Sequence, residues 1–185
     1  MPRKVIYGVG ISLDGFIARP NGAVDFLKPD PAYDFGAFFK TVDVALMGRK
    51  THDFARKHGM SAYPKMKNYV FTRRKRPGLR DGVEYTRADP GKIVRVLKKQ
   101  KGKHIYLCGG SNLARALFRQ GLVDELALGV IPVLIGKGIP TFLGPFPETK
   151  LRLTECQSFK NGMLMLIYRV LPPHKKKSRN PRLSN

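Results

Sequence analysis

Two short segments of the chain combine residue types and spacing that suit phosphate binding. In each, an apolar run stops at glycine and leads into a helix-compatible segment. Glycine lets the backbone approach a ligand closely, and the unpaired amides at the start of a helix face an anion. The segments are residues 44–51, ending in Gly48, Arg49, Lys50 and Thr51, and residues 104–112, ending in Gly109, Gly110, Ser111 and Asn112. Two such turns predict a ligand with two phosphate groups, such as a dinucleotide.

The bulk composition indicates one ordinary domain. The 185 residues are 42% hydrophobic, which is enough for a single core. No apolar run approaches the roughly 20 residues that span a bilayer, and the N-terminus leads directly into a strand-like segment instead of a signal peptide. Cys108 and Cys156 lack metal-ligand spacing, and the 4 histidines form no paired motif. We therefore expect a reduced, cytoplasmic protein without a metal site or a membrane segment.

Charge is the unusual bulk property. The formal net charge is +22, from 35 Lys and Arg against 13 Asp and Glu. Such an excess is typical of proteins that bind nucleic acid, an anionic surface or anionic ligands. The basic residues are scattered in short runs, without the interleaved aromatic residues on which single-stranded bases stack. Nucleic-acid binding therefore stays an alternative, and a solvated cationic surface is the favoured interpretation.

Periodicity predicts the elements that must position these turns. Strands and helices alternate at first, and strands alone follow from residue 124, with Asn161-Gly162 as a hairpin turn. This order indicates a mixed sheet with helices on its faces. Residues 172–185 form a basic tail without an apolar pattern, which we expect to be disordered. The predicted strands are 5–11, 42–47, 68–72, 82–86, 104–107, 124–133, 141–143, 151–159 and 163–171, and the predicted helices are 33–40, 49–57, 90–101 and 113–119.

Five sequence motifs occur in a fixed order along the chain: residues 12–18 (SLDGFIA), 47–51 (MGRKT), 71–73 (FTR), 108–113 (CGGSNL) and 131–138 (IPVLIGKG). Together they resemble the dihydrofolate reductase-like superfamily. More closely, the chain is similar to stand-alone bacterial proteins that resemble the C-terminal reductase domain of the bifunctional riboflavin biosynthesis deaminase/reductase. The resemblance covers about residues 4–171, and implies a three-layer α/β/α sandwich with a mixed, mostly parallel sheet and antiparallel C-terminal strands in one domain, residues 1–171.

The resemblance implies an NADPH-dependent oxidoreductase, often a homodimer, with cofactor-binding residues in three turns. It also implies a cis peptide bond between Gly109 and Gly110. Arg49 and Arg73 each follow a predicted strand, so they can converge on a 2′-phosphate if those strands are neighbours. Without the resemblance, Arg73 would be interpreted as part of a solvated basic turn. The implied cofactor residues are Gly48, Arg49, Lys50, Thr51, Thr72, Arg73, Gly109, Gly110, Ser111, Asn112 and Leu113.

The substrate side is predicted less sharply. Asp14 and Phe16 would line the cleft, and Phe16 stands where riboflavin-pathway reductases commonly have a basic or polar residue that serves a phosphorylated sugar. Phe26 stands where related proteins often have Trp. Asp34 is the nearest match to the acidic residue that holds the pterin in dihydrofolate reductases, so it is the catalytic candidate. Asp14-Gly15 is also an ordinary turn dipeptide, and Asp34 is also a good helix cap.

These observations predict a reductase that transfers a hydride from NADPH to a small pterin, pyrimidine or similar heterocycle. The loop 15–27 is the candidate lid over the cleft. Two alternatives stay open: a catalytically silent nucleotide-binding protein that kept the cleft, and a basic nucleic-acid-binding protein.

Overall fold

The alternation of strands and helices builds a sheet that helices cover on both faces. The computed structural model describes residues 2–59, 63–74 and 76–172. The strands are β1 Val5–Ser12, β2 Phe16–Ala18, β3 Val42–Gly48, β4 Lys67–Phe71, β5 Gly78–Arg80, β6 Val83–Thr86, β7 His104–Cys108, β8 Glu125–Ile131, β9 Ile139–Pro140, β10 Leu151–Ser158 and β11 Leu164–Val170. The helices are α1 Phe35–Lys40, α2 Arg49–Lys57, α3 Pro90–Lys99 and α4 Ser111–Phe118.

Within the described residues, nine strands form one mixed sheet in the order β10-β11-β8-β1-β7-β3-β4-β6-β5. The central strands β8, β1, β7, β3, β4 and β6 are parallel to one another. Antiparallel pairing is confined to the margins, where β11 pairs with β8 and with β10, and β5 pairs with β6. The predicted mixed, mostly parallel sheet with antiparallel C-terminal strands is confirmed.

The sheet is the middle of three layers because its central strands bury apolar side chains on both faces. One face packs against α3 and α4 through residues such as Leu46, Leu107 and Leu117. On the other face, Phe38 and Phe39 of α1 pack near Ile6 and Tyr106. Helix α2 lies on this second face as well, where His52 meets the Tyr85 ring edge-on at 5.5 Å. The α/β/α sandwich is therefore confirmed.

The main difference from the predicted elements lies after β8. Residues 141–143 are not a strand, and the short strand there is β9, which pairs with β2. Next to the paired residues Pro140 and Phe16, the Thr141 backbone N–H and hydroxyl both donate to the Gly15 carbonyl, at 2.9 and 2.8 Å. Strands β2 and β5 were not predicted, since three residues are too few to show a period.

The predicted basic tail lies outside the described residues, apart from Pro172. In the described part of the chain, no helix is long and apolar enough to cross a membrane.

Candidate active site

An elongated cleft of about 2170 Å³ crosses the second face of the sheet and reaches the carboxyl ends of its parallel strands. In open α/β sheets, ligands bind outside the carboxyl ends of the strands, where loops and helix N-termini meet. All eleven residues predicted to bind the cofactor line this cleft: Gly48, Arg49, Lys50, Thr51, Thr72, Arg73, Gly109, Gly110, Ser111, Asn112 and Leu113. The structure therefore brings together three turns that are far apart in the sequence.

The first turn connects β3 to α2. Gly48 is the N-cap of α2 and has no side chain to satisfy the first helical amides. A Cβ placed on Gly48 would meet nothing within 4 Å, so the space in front of these amides is open. An exposed helix N-terminus next to open space is suited to an anion.

The second turn connects β7 to α4 and lies directly beside the first, because β3 and β7 are neighbours in the sheet. Gly109 and Gly110 have φ angles of 50° and 74°, a left-handed conformation that glycine adopts without strain. A Cβ on Gly110 would lie 3.1 Å from the Thr51 hydroxyl. The expected cis bond between these glycines is wrong: among the described residues, only Gly144–Pro145 is cis. Two consecutive left-handed glycines turn the chain with a trans bond.

The third turn follows β4, which is the other neighbour of β3. Gly48 is paired in register with Phe71, so Arg49 and Arg73 leave the sheet at the same edge. Thr72 is buried, and its amide donates to the Thr86 carbonyl at 3.0 Å. This bond fixes the backbone and leaves the exposed Arg73 side chain at the rim of the cleft.

Every charged residue that lines the cleft in the described chain belongs to α2, α4 or the turns after β4 and β6. We call this part, residues 48–57, 72–73, 86–89 and 109–119, the basic end. The Arg49 guanidinium pairs with the Asp53 carboxylate one helical turn away, so part of its charge is already neutralised. The basic end contains Arg49, Lys50, Lys57, Arg73, Arg87, Arg115 and Arg119 against Asp53 and Asp89.

The opposite part of the cleft, which we call the aromatic end, contains the lining residues of 8–39, 63–66, 106–108, 127–131 and 163–165. Among its described residues, none carries a formal charge. Its rings are in contact: the Phe38 and Tyr106 centroids are 5.1 Å apart, and those of Tyr63 and Tyr106 are 5.5 Å apart. The Tyr63 hydroxyl lies 3.0 Å from the Cys108 sulfur.

Burial keeps the polar groups of the aromatic end neutral. Desolvation raises the pKa of the Tyr63 and Tyr106 hydroxyls well above that of a free tyrosine. Desolvation also raises the pKa of the Cys108 thiol, although hydrogen bonding to the two tyrosines acts in the opposite direction. These three groups therefore keep their protons at neutral pH and act as hydrogen-bonding groups.

All four residues predicted for the substrate side and for catalysis lie outside the cleft lining, and three of them, Asp14, Phe16 and Phe26, belong to the loops around it. The Asp14 carboxylate accepts hydrogen bonds from the backbone amides of Ile135 and Gly136, the latter at 2.7 Å. Phe16 pairs with Pro140 in the β2–β9 ribbon. Phe26 is buried, with the Arg19 guanidinium 5.9 Å from its ring centroid. Each thus holds the loops around the cleft together.

Asp34, the catalytic candidate, is the N-cap of α1. Its carboxylate accepts a hydrogen bond from the Ala37 amide at 3.0 Å, and its side chain does not line the cleft. Asp34 therefore occupies the helix-capping position that was the alternative interpretation of this residue. The nearby buried carboxylate of Asp30 accepts bonds from the amides of Ala32 and Asn161 and joins this loop to the β10–β11 hairpin.

The candidate lid forms a closed loop at the mouth of the cleft. The Arg19 guanidinium makes two bonds to the Asp25 carboxylate, at 2.7 and 2.8 Å. The Arg19 amide and carbonyl bond to Ala23 and Gly22, both at 2.8 Å. Pro20, Asn21, Gly22, Val24 and Leu27 line the cleft from this side. The loop is thus held at its neck and presents its tip to the cleft.

The sequence interpretation missed the aromatic end, although a signal was present. In β7 the buried Ile105 and Leu107 alternate with Tyr106 and Cys108, so the last two face the cleft side of the sheet. The pair Gly8 and Gly10 in β1 has the same period of two.

Comparisons with solved structures define the class of protein. A Shewanella sp. PV-4 protein described as a riboflavin biosynthesis protein superposes with a TM-score of 0.81 and 22% identity, covering 93% of this chain and all of that one. The Thermotoga maritima diaminohydroxyphosphoribosylaminopyrimidine deaminase/5-amino-6-(5-phosphoribosylamino)uracil reductase superposes with a TM-score of 0.68 and 16% identity, over 92% of this chain and 57% of that one. The fold class of this chain is therefore that of these two proteins.

Sequence comparison places the chain within that class. Residues 3–165 match the family described as the RibD C-terminal domain. The chain is also 30% identical over 178 residues to the uncharacterized protein YyaP of Bacillus subtilis, an alignment that covers 90% of this chain and 94% of YyaP. The chain belongs to the RibD C-terminal domain family.

Proposed function

We propose that the protein is an NADPH-dependent reductase that transfers a hydride to a small heterocycle of the pyrimidine or pterin type. The observation that carries this proposal is the division of one cleft into a basic end with two open glycine turns and an uncharged aromatic end. The phosphate groups of a dinucleotide require the cations and free amides of the basic end. A planar ring beside a nicotinamide requires the uncharged aromatic end. Family membership supports a reductase with this arrangement.

The residues of the basic end fit the phosphates of NADPH. The amides that begin α2 and α4 face the pyrophosphate, and the missing side chains of Gly48 and Gly110 allow close approach. Arg73, exposed at the rim, is placed to form a fork with the 2′-phosphate. When bound, the nicotinamide supplies the hydride, and the chain supplies alignment and electrostatics.

The aromatic end positions the acceptor and excludes water. Leu27 and the tip of the candidate lid close the cleft from above, which keeps the acceptor carbon against the donor. The phenols of Tyr63 and Tyr106 keep their protons, since burial raises their pKa, so they donate hydrogen bonds to the acceptor ring. One water molecule that stays in the cleft, which otherwise excludes bulk solvent, supplies the proton that completes the reduction in this proposal.

The first experiment is a titration of the purified protein with NADPH and NADH at near-physiological salt, followed by nicotinamide fluorescence. Moderate salt matters because a protein with a net charge of +22 also collects anions unspecifically. Saturable binding at micromolar strength, tighter for NADPH, is expected. Absence of saturable binding of either nucleotide would refute the proposal.

Two further measurements separate the proposal from its alternatives. Oxidation of NADPH in the presence of a panel of oxidised pterin and pyrimidine acceptors distinguishes a reductase from a silent nucleotide-binding protein. For nucleic-acid binding, affinity should fall with salt with a slope near −0.9 per phosphate contacted on duplex DNA. Strong salt-dependent DNA binding without NADPH binding would favour the basic-surface alternative.

We also propose that the protein is a homodimer that pairs through β10. This strand is at one margin of the sheet, all eight of its residues are exposed, and Leu151 and Leu153 are 41% and 48% exposed. An exposed edge strand with apolar side chains favours association. Sedimentation should give a dimer for the native chain and a monomer after Leu151→Lys with Leu153→Lys; a native monomer at high micromolar concentration would contradict the proposal.

A further inference from the structure

The floor of the aromatic end is built from very small residues on two adjacent strands. Gly8 and Gly10 of β1 lie in register with Ala127 and Gly129 of β8, and we call these four residues the glycine shelf. Neighbouring strands are about 4.8 Å apart, and alternate residues of a strand are about 6.6 Å apart. The four residues therefore outline an area of backbone about the size of a bicyclic ring, which the Tyr106 ring covers at Gly8 and the Leu27 side chain covers at Gly10.

The shelf is open at one corner and walled at the others. A Cβ on Gly8 would lie 2.8 Å from the Tyr106 ring, and one on Gly10 would lie 3.2 Å from Leu27. These two glycines thus let an aromatic wall and the lid side chain pack against the backbone. A Cβ on Gly129 would meet only the Gly10 Cα, at 3.9 Å, so the space above Gly129 is free of other side chains.

The walls offer flat surfaces and neutral hydrogen-bonding groups. Phe38, Tyr106 and Tyr63 form a connected set of rings with centroid distances of 5.1 and 5.5 Å. The polar atoms among them are two phenolic hydroxyls and the Cys108 thiol. The nearest lining cation along the chain is Lys57, exposed in the last turn of α2 before Tyr63.

We infer that the aromatic end selects a planar, uncharged heteroaromatic compound that carries no phosphate group. Rings stack on rings and on the bare backbone of the shelf, whereas a phosphate would be desolvated there without a cationic partner among the described lining residues. The Thermotoga protein, by its name, acts on a phosphoribosyl compound, so this chain would differ from it in substrate class. The inference rests on the proposed function in one respect, that the ring is the hydride acceptor.

The test uses two fluorescent probes that differ by one phosphate, neopterin and neopterin 3′-phosphate. Each is titrated into the full-length protein without and with saturating NADP⁺, which fills the basic end and prevents the phosphate from binding there. Saturable binding of neopterin is expected, with neopterin 3′-phosphate about tenfold weaker or more. Tighter binding of the phosphate than of neopterin, or no binding of neopterin up to millimolar concentration, overturns the inference.

Two variants locate the binding. Gly129→Val fills the open corner of the shelf in an extended strand without meeting another side chain within 4 Å of its Cβ, so the fold is retained and neopterin binding should fall at least about tenfold. NADPH binding by this variant checks its fold. Unchanged neopterin binding would show that neopterin does not bind at the glycine shelf.

Lys57→Ala tests the opposite possibility. With NADP⁺ bound, we expect this variant to keep the native discrimination against neopterin 3′-phosphate, because the inferred ring site does not use Lys57. If the native chain prefers the phosphate and this variant loses the preference, Lys57 is a phosphate ligand and the inferred substrate class is wrong. Failure of NADPH to bind in any of these proteins would count against the proposed function, whereas neopterin binding that Gly129→Val weakens would still support the inferred ring site.

Discussion

The two ends of the cleft are built on different physical bases. At the basic end, the proposed phosphate site consists of backbone amides and left-handed glycines in turns of a few residues, and cations surround them. At the aromatic end, the proposed ring site consists of side chains and bare backbone contributed by strands, a helix and loops that are far apart in the sequence. A phosphate site of the proposed kind is formed by residues that are neighbours in the sequence. A site shaped for a planar ring, in contrast, requires the assembled sheet.

The largest effect on the basic end is expected from a substitution of Gly110. We expect Gly110→Val to reduce the affinity for NADPH about 30-fold or more, since its side chain would enter the phosphate space near Thr51. Its φ of 74° also strains a β-branched residue, costing about 1–3 kcal/mol in the free energy of unfolding. Fluorescence titration and chemical denaturation measure the two effects.

Gly121→Val is the matched control. Gly121 has a φ of 62° and nothing within 4 Å of its Cβ, and it does not line the cleft. A similar loss of stability with unchanged NADPH affinity is expected. If both variants weaken NADPH equally, the effect at Gly110 is strain alone.

Arg73→Ala tests whether positive charge at the basic end selects NADPH over NADH. The affinity for NADPH should fall about 10- to 150-fold, equal to roughly 1.5–3 kcal/mol, with a much smaller change for NADH. Arg95→Ala, which removes an exposed arginine of α3 bonded to Gln120, should leave both affinities unchanged. Equal weakening of NADPH and NADH by Arg73→Ala would show that the assigned 2′-phosphate contact is wrong.

Thiol reactivity measures how well the aromatic end suppresses charge. Burial raises the pKa of Cys108, and the thiolate is the reactive form, so a thiol reagent at pH 8 should modify the exposed Cys156 about tenfold faster or more. Cys156→Ser should leave only the slow phase, which NADP⁺ should slow further. A fast phase that survives Cys156→Ser would mean that the aromatic end is more open and more polar than described.

The smallest effect is expected at Asp14, which lies outside both ends. Hydrogen bonds from Ser12, and then from the Gly136 and Ile135 amides, lower the pKa of its carboxyl group in the folded chain. A lowered folded-state pKa stabilises the fold above the unfolded-state value near 3.9, and this contribution is lost as the pH falls through the folded-state pKa. Thermal unfolding should therefore separate the native chain from Asp14→Asn at pH 7 and less so at pH 3. A constant difference would exclude this linkage.

The fold was largely predictable because its signals are periodic and long. Helix α2 has the predicted bounds, and most other strands and helices differ from their predicted bounds by one to three residues. Pairing of β3 with β4, the condition for Arg49 and Arg73 to converge, is confirmed. The short ribbon of β2 and β9 was not predictable, since its pairing depends on Thr141 meeting Gly15 across the chain.

The substrate side shows why motif matching fails there. Asp14, Phe16 and Phe26 sit in the right motifs, yet each is engaged in holding loops together outside the cleft lining. Because Phe16 does not line the cleft, it gives no information about a phosphorylated sugar substrate. The same substrate preference is now inferred from other residues, the glycine shelf and the uncharged aromatic wall.

By itself, the sequence determined the α/β order, the family and the residues of the phosphate turns. Each of these depends on contacts within a few residues: a strand that ends in glycine and a helix whose first amides are free. Only the tertiary structure decided which residues form the aromatic end, because strand register places Gly8 beside Cys108 and Ala127, and Gly10 beside Gly129. It also decided that Asp34 caps a helix. Side-chain direction and strand neighbours are set by the packed sheet, and a linear motif does not contain them.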